Sequence, residues 1–209
     1  MKPWLIFGAG GTGTGRCVLD LALAAGRPVV AVVRNPSAAA QLDALGVAVV
    51  EGDARDAQAV ALACTKVGHA ATVISTLGGA QEFEAHRVII DTAAAQGLER
   101  MIMVSSLGCG DSWRWLSARA KAAFGQSVRE KTLAEAWLQT SPLDYAILRP
   151  GGLLNGEATG MAQLFQGEEV HGFVHRRDVA AMIARLDAAD SLNNQVYSLV
   201  QPGLAPETA

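Results

Sequence analysis

Short apolar runs alternate with longer stretches of helical period through the first half of the chain. Trp4-Leu-Ile-Phe7 leads straight into a glycine-dense loop, after which Val18, Leu19, Leu21, Ala22, Leu23 and Ala25 recur at helical spacing. Gly26 is placed to close that helix. Pro28-Val-Val-Ala-Val-Val33 has the unbroken, largely β-branched pattern of a strand covered on both faces. Val47–Val50, His69–Ser75 and Arg100–Ser105 predict three further strands. Between them the sequence predicts a helix capped by Ser37 and running through Leu45, one over 56–66, and one from about Glu82 to Gln96.

The second half is less regular. A segment carrying Trp113 and Trp115 is interrupted by Gly125, and Gln126–Gln139 predicts a helix with Val128, Leu133, Ala136 and Trp137 as core candidates. Tyr145–Leu148 predicts a sixth strand, ending at Arg149-Pro150-Gly151-Gly152. Residues 153–174 read as irregular, Asp178 as the cap of a helix through Asp187, and Gln195–Val200 as a final strand before a mobile tail, 201–209. Strands alternating with helices through short connections imply an α/β fold, a doubly wound and mainly parallel sheet with helices on both faces. The expected organisation is one domain over 1–200, with small substrate-side elements around 111–125 and 151–178.

The 209 residues are half hydrophobic and 18% charged, enough for one sizeable core and unlike a disordered chain. A net charge of -3 gives no electrostatic reason to expect nucleic acid as a partner. No stretch reads as a membrane span or a cleavable signal. Cys17, Cys64 and Cys109 are widely spaced and fit no metal pattern, so reduced thiols in the cytoplasm are expected. His171 and His175, four apart without a third ligand, do not change that expectation.

The glycine loop points to chemistry. Gly8, Gly10 and Gly13 satisfy G-x-G-x-x-G between a predicted strand and a predicted helix, with Gly11, Thr12 and Thr14 completing the loop. Glycines let the backbone approach a pyrophosphate, whose charge is favoured at the helix N-terminus. This is the opening of a Rossmann fold. The second strand ends at Arg34, with no acidic residue between Val29 and Ala40. A guanidinium there suits the 2′-phosphate of NADP(H), whereas NAD(H) calls for a carboxylate, so NADP(H) is expected in preference to NAD(H). Loops at strand C-termini then collect Arg34, Asp53, Thr76–Gly79 and Ser105–Gly110 along one edge.

Gly8-Ala-Gly-Gly-Thr-Gly, Arg34, Gly52-Asp53, Ser105-Ser106, Lys131, Leu143–Gly151 and Arg177-Asp-Val-Ala180 follow one another as in an atypical short-chain dehydrogenase/reductase. The chain resembles the NAD(P)H-binding group that includes NmrA-like proteins and biliverdin-IXβ/flavin reductases. The resemblance implies Asp53 and Ala54 beside the adenine, and Thr76, Leu77 and Gly78 along the cofactor ribose. It also implies Ser105 and Ser106 by the nicotinamide, with Pro150 and Gly151 lining the same cavity. Asp53 reads equally as a helix cap.

Two departures bear on function. The Tyr-x-x-x-Lys pair of most short-chain dehydrogenases is missing, because Ser127 stands four residues before Lys131. A serine hydroxyl is too weak an acid to replace an activated phenol. Lys131 can hold a cofactor ribose or pair with Glu135 at i+4, and Ser106 is a candidate to hydrogen-bond a substrate carbonyl. In the glycine loop, Gly-x-x-Gly-x-x-Gly reads as Gly8, Gly11 and Thr14, so the close helix–sheet contact falls to Gly13, Gly15 or Thr14. The leading expectation is an NADPH-dependent oxidoreductase passing hydride to a small carbonyl, quinone, flavin or tetrapyrrole, with Trp113, Trp115, Leu153, Leu154, Phe165 and Phe173 offering apolar walls. A non-catalytic NADP(H)-binding sensor is the alternative, and a sugar epimerase or dehydratase a weaker third. Substrate identity and oligomeric state are left open.

Overall fold

The computed structural model describes residues 1–79 and 81–206. Along the chain run β1 (Trp4–Phe7), α1 (Thr14–Ala24), β2 (Val29–Val33), α2 (Pro36–Asp43), β3 (Ala48–Glu51) and α3 (Ala57–Val67). Then come β4 (Thr72–Ser75), α4 (Glu82–Ala95), β5 (Arg100–Val104), a 3₁₀ turn (Gly110–Trp115), α5 (Ala118–Gln139) and β6 (Asp144–Pro150). The chain continues with β7 (Gly152–Leu154), β8 (Gln163–Phe165), β9 (Phe173–His175), α6 (Arg176–Asp187) and β10 (Gln195–Val200).

The main sheet has the order β3-β2-β1-β4-β5-β6-β10-β8, and every neighbouring pair is parallel except β10–β8. A small parallel pair, β7–β9, stands beside it. This is a single-domain doubly wound Rossmann sheet with its switch point between β1 and β4, where such sheets bind ligands. Because side chains alternate along a strand, Trp4 and Ile6 enter the core layer shared with α1 and α6, while Leu5 and Phe7 enter the opposite one with α3 and α4. No described helix is long and apolar enough to cross a membrane, and the described residues hold no metal-binding group of His, Cys, Asp and Glu.

Several expected boundaries move. Helix α5 runs unbroken through Gly125, because the ring of Trp113 packs where a side chain would begin, 3.3 Å from the position of a Cβ. Its buried face is Gly125, Val128, Ala134, Glu135 and Leu138, whereas Leu133 (53% exposed), Trp137 (40%) and Ala136 face outward. Asn35, not Ser37, caps α2 by accepting the amides of Ser37 and Ala38. Asp178 lies inside α6, where its carboxylate accepts the amides of Thr159 and Gly160 and ties the preceding segment to the helix. The segment 153–174, expected to be irregular, supplies the end of β7, all of β8 and the start of β9. Gln201, taken from sequence as the start of a mobile tail, is buried; its amide donates to Phe173 O and its Oε1 accepts from Thr159. Residues 207–209 of that expected tail lie outside the described residues.

Candidate cofactor and active site

Local sequence builds the phosphate end. Gly8 has φ +102°, a conformation side chains rarely adopt, and a Cβ there would lie 2.4 Å from Thr76 Oγ1. A Cβ on Gly15 would lie 2.3 Å from Gly8 O, so Gly15 makes the close helix–sheet contact and settles the register. Gly13 is instead the N-cap of α1, and a Cβ on Gly10 would lie 3.1 Å from Val33 Cγ1. Gly11 and Gly13 have nothing within 4 Å of a notional Cβ. No side chain caps α1, so its first amides are open to an anion, as a pyrophosphate requires. Thr12 is exposed on this loop and Thr14 is buried as the first helical residue.

From there a cleft of about 330 Å³ runs over the switch point, lined among others by Gly8, Gly10, Gly11, Arg34, Asp53, Ala54, Leu77, Gly78 and Glu82. Eight of these are sequence candidates; they converge with Glu82, Asn35, Arg55 and Gln81, which sequence reading passed over. Asp53 is not a helix cap; Asp56 takes that role through Gln58 N. Instead Asp53 Oδ1 accepts Arg55 N (2.8 Å) and Nε (3.0 Å), and Oδ2 lies 2.8 Å from Arg55 Nη2 and 3.8 Å from Arg34 Nη1. The bonds from Arg55 lower the Asp53 carboxyl to about 2. Arg55 also donates to Gln81. Two guanidinium groups thus flank one carboxylate at the edge where the nucleoside end of a dinucleotide would lie. The signal for Arg55 was available, since it follows Asp53 by two on the loop after β3, beside the end of β2.

At the other end Thr76 stitches β4 to β1, donating through both N (3.0 Å) and Oγ1 (3.2 Å) to Phe7 O. Lys131 does not pair with Glu135. Its Nζ donates to Leu77 O (3.2 Å) and Glu82 Oε2 (2.9 Å), beside the bare Cα of Gly78. Glu135 is taken by Arg149, which grips it through Nε and Nη2, while Arg149 Nη1 reaches Asp111. Ser105 joins that buried network, donating to Glu135 Oε1 at 2.5 Å, so its hydroxyl serves the ion pair. Ser106 is half-buried, and among the described residues its hydroxyl bonds only to its neighbour's carbonyl, Leu107 O, at 3.0 Å. Pro150 is buried, and a Cβ on Gly151 would lie 2.3 Å from Gly172 O, so this pair seats the sheet end against the loop before β9.

Tyr145 and Tyr197 pack in core layers on opposite faces of the sheet, so neither serves Lys131. The expected apolar walls do not form one cavity. Trp115 and Phe165 share one of about 410 Å³ with Arg149, Trp113 lies in another with Lys121 and Arg129, and Phe173 packs over Gly152. The antiparallel β8 causes this by carrying Phe165 to the far sheet edge. The aromatic that shares a helix face with Lys131 is Phe124, two turns earlier and 56% exposed. Sequence reading had left it out. His171 meets only Glu169 on the surface, and His175 Nδ1 stands 3.6 Å from Asp178.

Comparison with known proteins agrees with this geometry. Residues 8–189 match the model of the NAD(P)H-binding family. The structure is similar to that of ChuY, an anaerobillin reductase from Escherichia coli O157:H7, with TM-score 0.96 and 64% identity over 98% of this chain and 99% of that one. It is also similar to ChuY of E. coli strain CFT073, with TM-score 0.92 and 60% identity over 99% and 100% of the two chains. An uncharacterized sugar epimerase of Bacillus subtilis, YhfK, is 31% identical over 82% of this chain and 81% of its own. The residues present fit a nicotinamide dinucleotide, and the chain belongs to the NAD(P)H-binding family as an oxidoreductase.

Proposed function

We propose that this protein is an NADPH-dependent reductase of a linear tetrapyrrole, acting in the cytoplasm on a small-molecule substrate. The observation that carries the reading is near full-length likeness, at 64% identity, to an anaerobillin reductase. Three features of the cleft support it. Arg34 and Arg55 at the nucleoside end supply two cations for a 2′-phosphate. The loop amides at α1 hold the pyrophosphate, and Lys131 with Leu77 and Gly78 frames the ribose side. Phe124, exposed on the helix face above Lys131, offers a flat apolar surface to a conjugated acceptor.

When bound, the nicotinamide supplies hydride. The chain's part is to hold the acceptor against it, exclude water and deliver a proton, none of which needs the missing tyrosine. Oxidation of NADPH, followed with linear tetrapyrroles, flavins, quinones and small carbonyls, tests the proposal. Turnover is expected with the tetrapyrroles, and more slowly with NADH. Tight cofactor binding without turnover of any acceptor would instead identify a sensor.

A further inference from the structure

From Ser112 to Arg129 the chain carries four cations, Arg114, Arg119, Lys121 and Arg129, and no acid, against a net charge of -3 for the whole. None of the four has a carboxylate within ion-pair distance among the described residues. Three stand over indole rings instead. Lys121 Nζ lies 5.2 Å and Arg129 Cζ 5.4 Å from the ring centroid of Trp113, and Arg114 Cζ lies 4.7 Å from that of Trp115. Lys121, Gly125 and Arg129 are spaced by four and share one face of α5. The Trp113 ring rests on the glycine, 3.3 Å from where a Cβ would begin, with a cation from the helical turn on either side. Together with Gln126 these residues wall a surface pocket. An aromatic face attracts a cation and fixes its position without neutralising it. Two charges held that way, with no carboxylate of their own, suit an anion brought by a ligand.

The pair adjoins the acceptor end of the cleft. Lys121 is one turn before Phe124, and Phe124 shares its helix face with Lys131, which donates to Leu77 O beside the bare Cα of Gly78. From Lys121 to Lys131 the helix rises about 15 Å. A ligand reaching from one to the other is extended, crosses the apolar Phe124 and ends in an acid. A small carbonyl or a quinone has neither that length nor that charge. Linear tetrapyrroles derived from haem have both, as a conjugated chain of four rings with two propionate arms.

We propose that Lys121, Arg129 and the Trp113 ring between them form an acid-binding subsite that takes the propionate arms of an extended tetrapyrrole and so selects it over shorter acceptors. The proposal rests on the reductase reading and names what that site recognises. The Arg129 guanidinium offers a carboxylate two parallel N–H donors, and the Lys121 ammonium a compact charge.

Binding without turnover provides the test. Biliverdin and its dimethyl ester, which has the same rings and no free acid, are titrated into the NADP-loaded protein and followed by fluorescence quenching. The wild type is expected to bind the diacid about tenfold more tightly than the ester, the order expected of two partly exposed charge pairs, with the difference shrinking as salt rises. The double variant Lys121→Gln/Arg129→Gln is expected to lose that preference, and Lys121→Arg/Arg129→Lys to keep it. Arg185→Gln, an exposed charge removed from α6 on the other face of the sheet, is expected to leave it unchanged. Equal affinity for diacid and ester in the wild type, or a preference that survives the double Gln change, overturns the proposal. So does binding to anionic phospholipid vesicles that the double Gln change abolishes while diacid affinity stays the same, which would assign the surface to a membrane. A preference that the double Gln change removes, in a protein that oxidises NADPH with no acceptor, overturns the reductase reading and leaves the acid-binding subsite standing.

Discussion

Replacing Arg34 by alanine separates the two cofactors. A 2′-phosphate carries close to two negative charges at neutral pH. At about 4 Å in water each charge pair contributes about 1 kcal/mol, so the phosphate gains about 2 kcal/mol from one guanidinium before screening. The Arg34 side chain is 74% exposed and 3.8 Å from Asp53, so solvent and salt reduce that figure. About 1 kcal/mol remains, corresponding to roughly fivefold weaker NADPH binding, with NADH nearly unchanged. Arg55→Ala should have the larger effect, because it also releases Asp53, a firmly ionised carboxylate, towards the phosphate. Asp53→Asn should act in the opposite direction, tightening NADPH by removing that repulsion. Calorimetric titration with both cofactors at low and physiological salt reads all three variants, and the differences should shrink as salt rises. Equal weakening of NADPH and NADH by Arg34→Ala would refute the reasoning.

Three further outcomes follow from the geometry. Gly15→Ala drives a Cβ into Gly8 O and Thr76, a backbone overlap expected to cost about 1–3 kcal/mol and most cofactor binding. Gly11→Ala meets nothing within 4 Å and should leave Tm unchanged, so equal Tm losses in the two variants would count against the loop register. Glu135→Gln leaves the buried Arg149 with only the exposed Asp111 as a charge partner and should cost about 3 kcal/mol in urea denaturation; Ser105→Ala, which removes one bond to Glu135, should cost less and leave NADPH affinity intact. Burial, then Lys131, lowers His86 from 6.5 to about 4. Since the unfolded state binds the proton first, this stability is fully present above pH 6.5 and is lost as pH falls towards 4, about 3 kcal/mol in all. A His86→Asn variant should show a shallower acid limb in stability against pH, and an unchanged limb would contradict the buried neutral imidazole.

Much of this protein is local in origin, and that part was legible in the sequence. Buried parallel strands must be continuously apolar, so β2 and β5 announce themselves, and a glycine loop between strand and helix has one common use. Arg34, Asp53, Ala54, Leu77 and Gly78 could be gathered because strand C-termini in such a sheet share an edge. The boundaries that moved are those where distant partners outweigh local preference. Gly125 lies in the helix with the ring of Trp113 packed against it, β8 forms against the edge of β10, and β7 and β9 form against each other.

Side-chain pairing was decided by the tertiary structure alone. Sequence spacing offers Lys131 a partner at Glu135, one turn away, yet helix packing gives Lys131 to Glu82 and Glu135 to Arg149. Ser105, expected beside the nicotinamide, donates its hydroxyl to the buried Glu135, a partner thirty residues on that spacing does not suggest. Arg55 is an ordinary arginine until the sheet brings β2 and β3 side by side and sets it across Asp53 from Arg34. Periodicity and glycine placement determine which elements form and where a dinucleotide fits, because backbone geometry and burial are read residue by residue. Which charge meets which depends on residues far apart in the chain, and only packing of the helices on the sheet brings them within hydrogen-bonding distance.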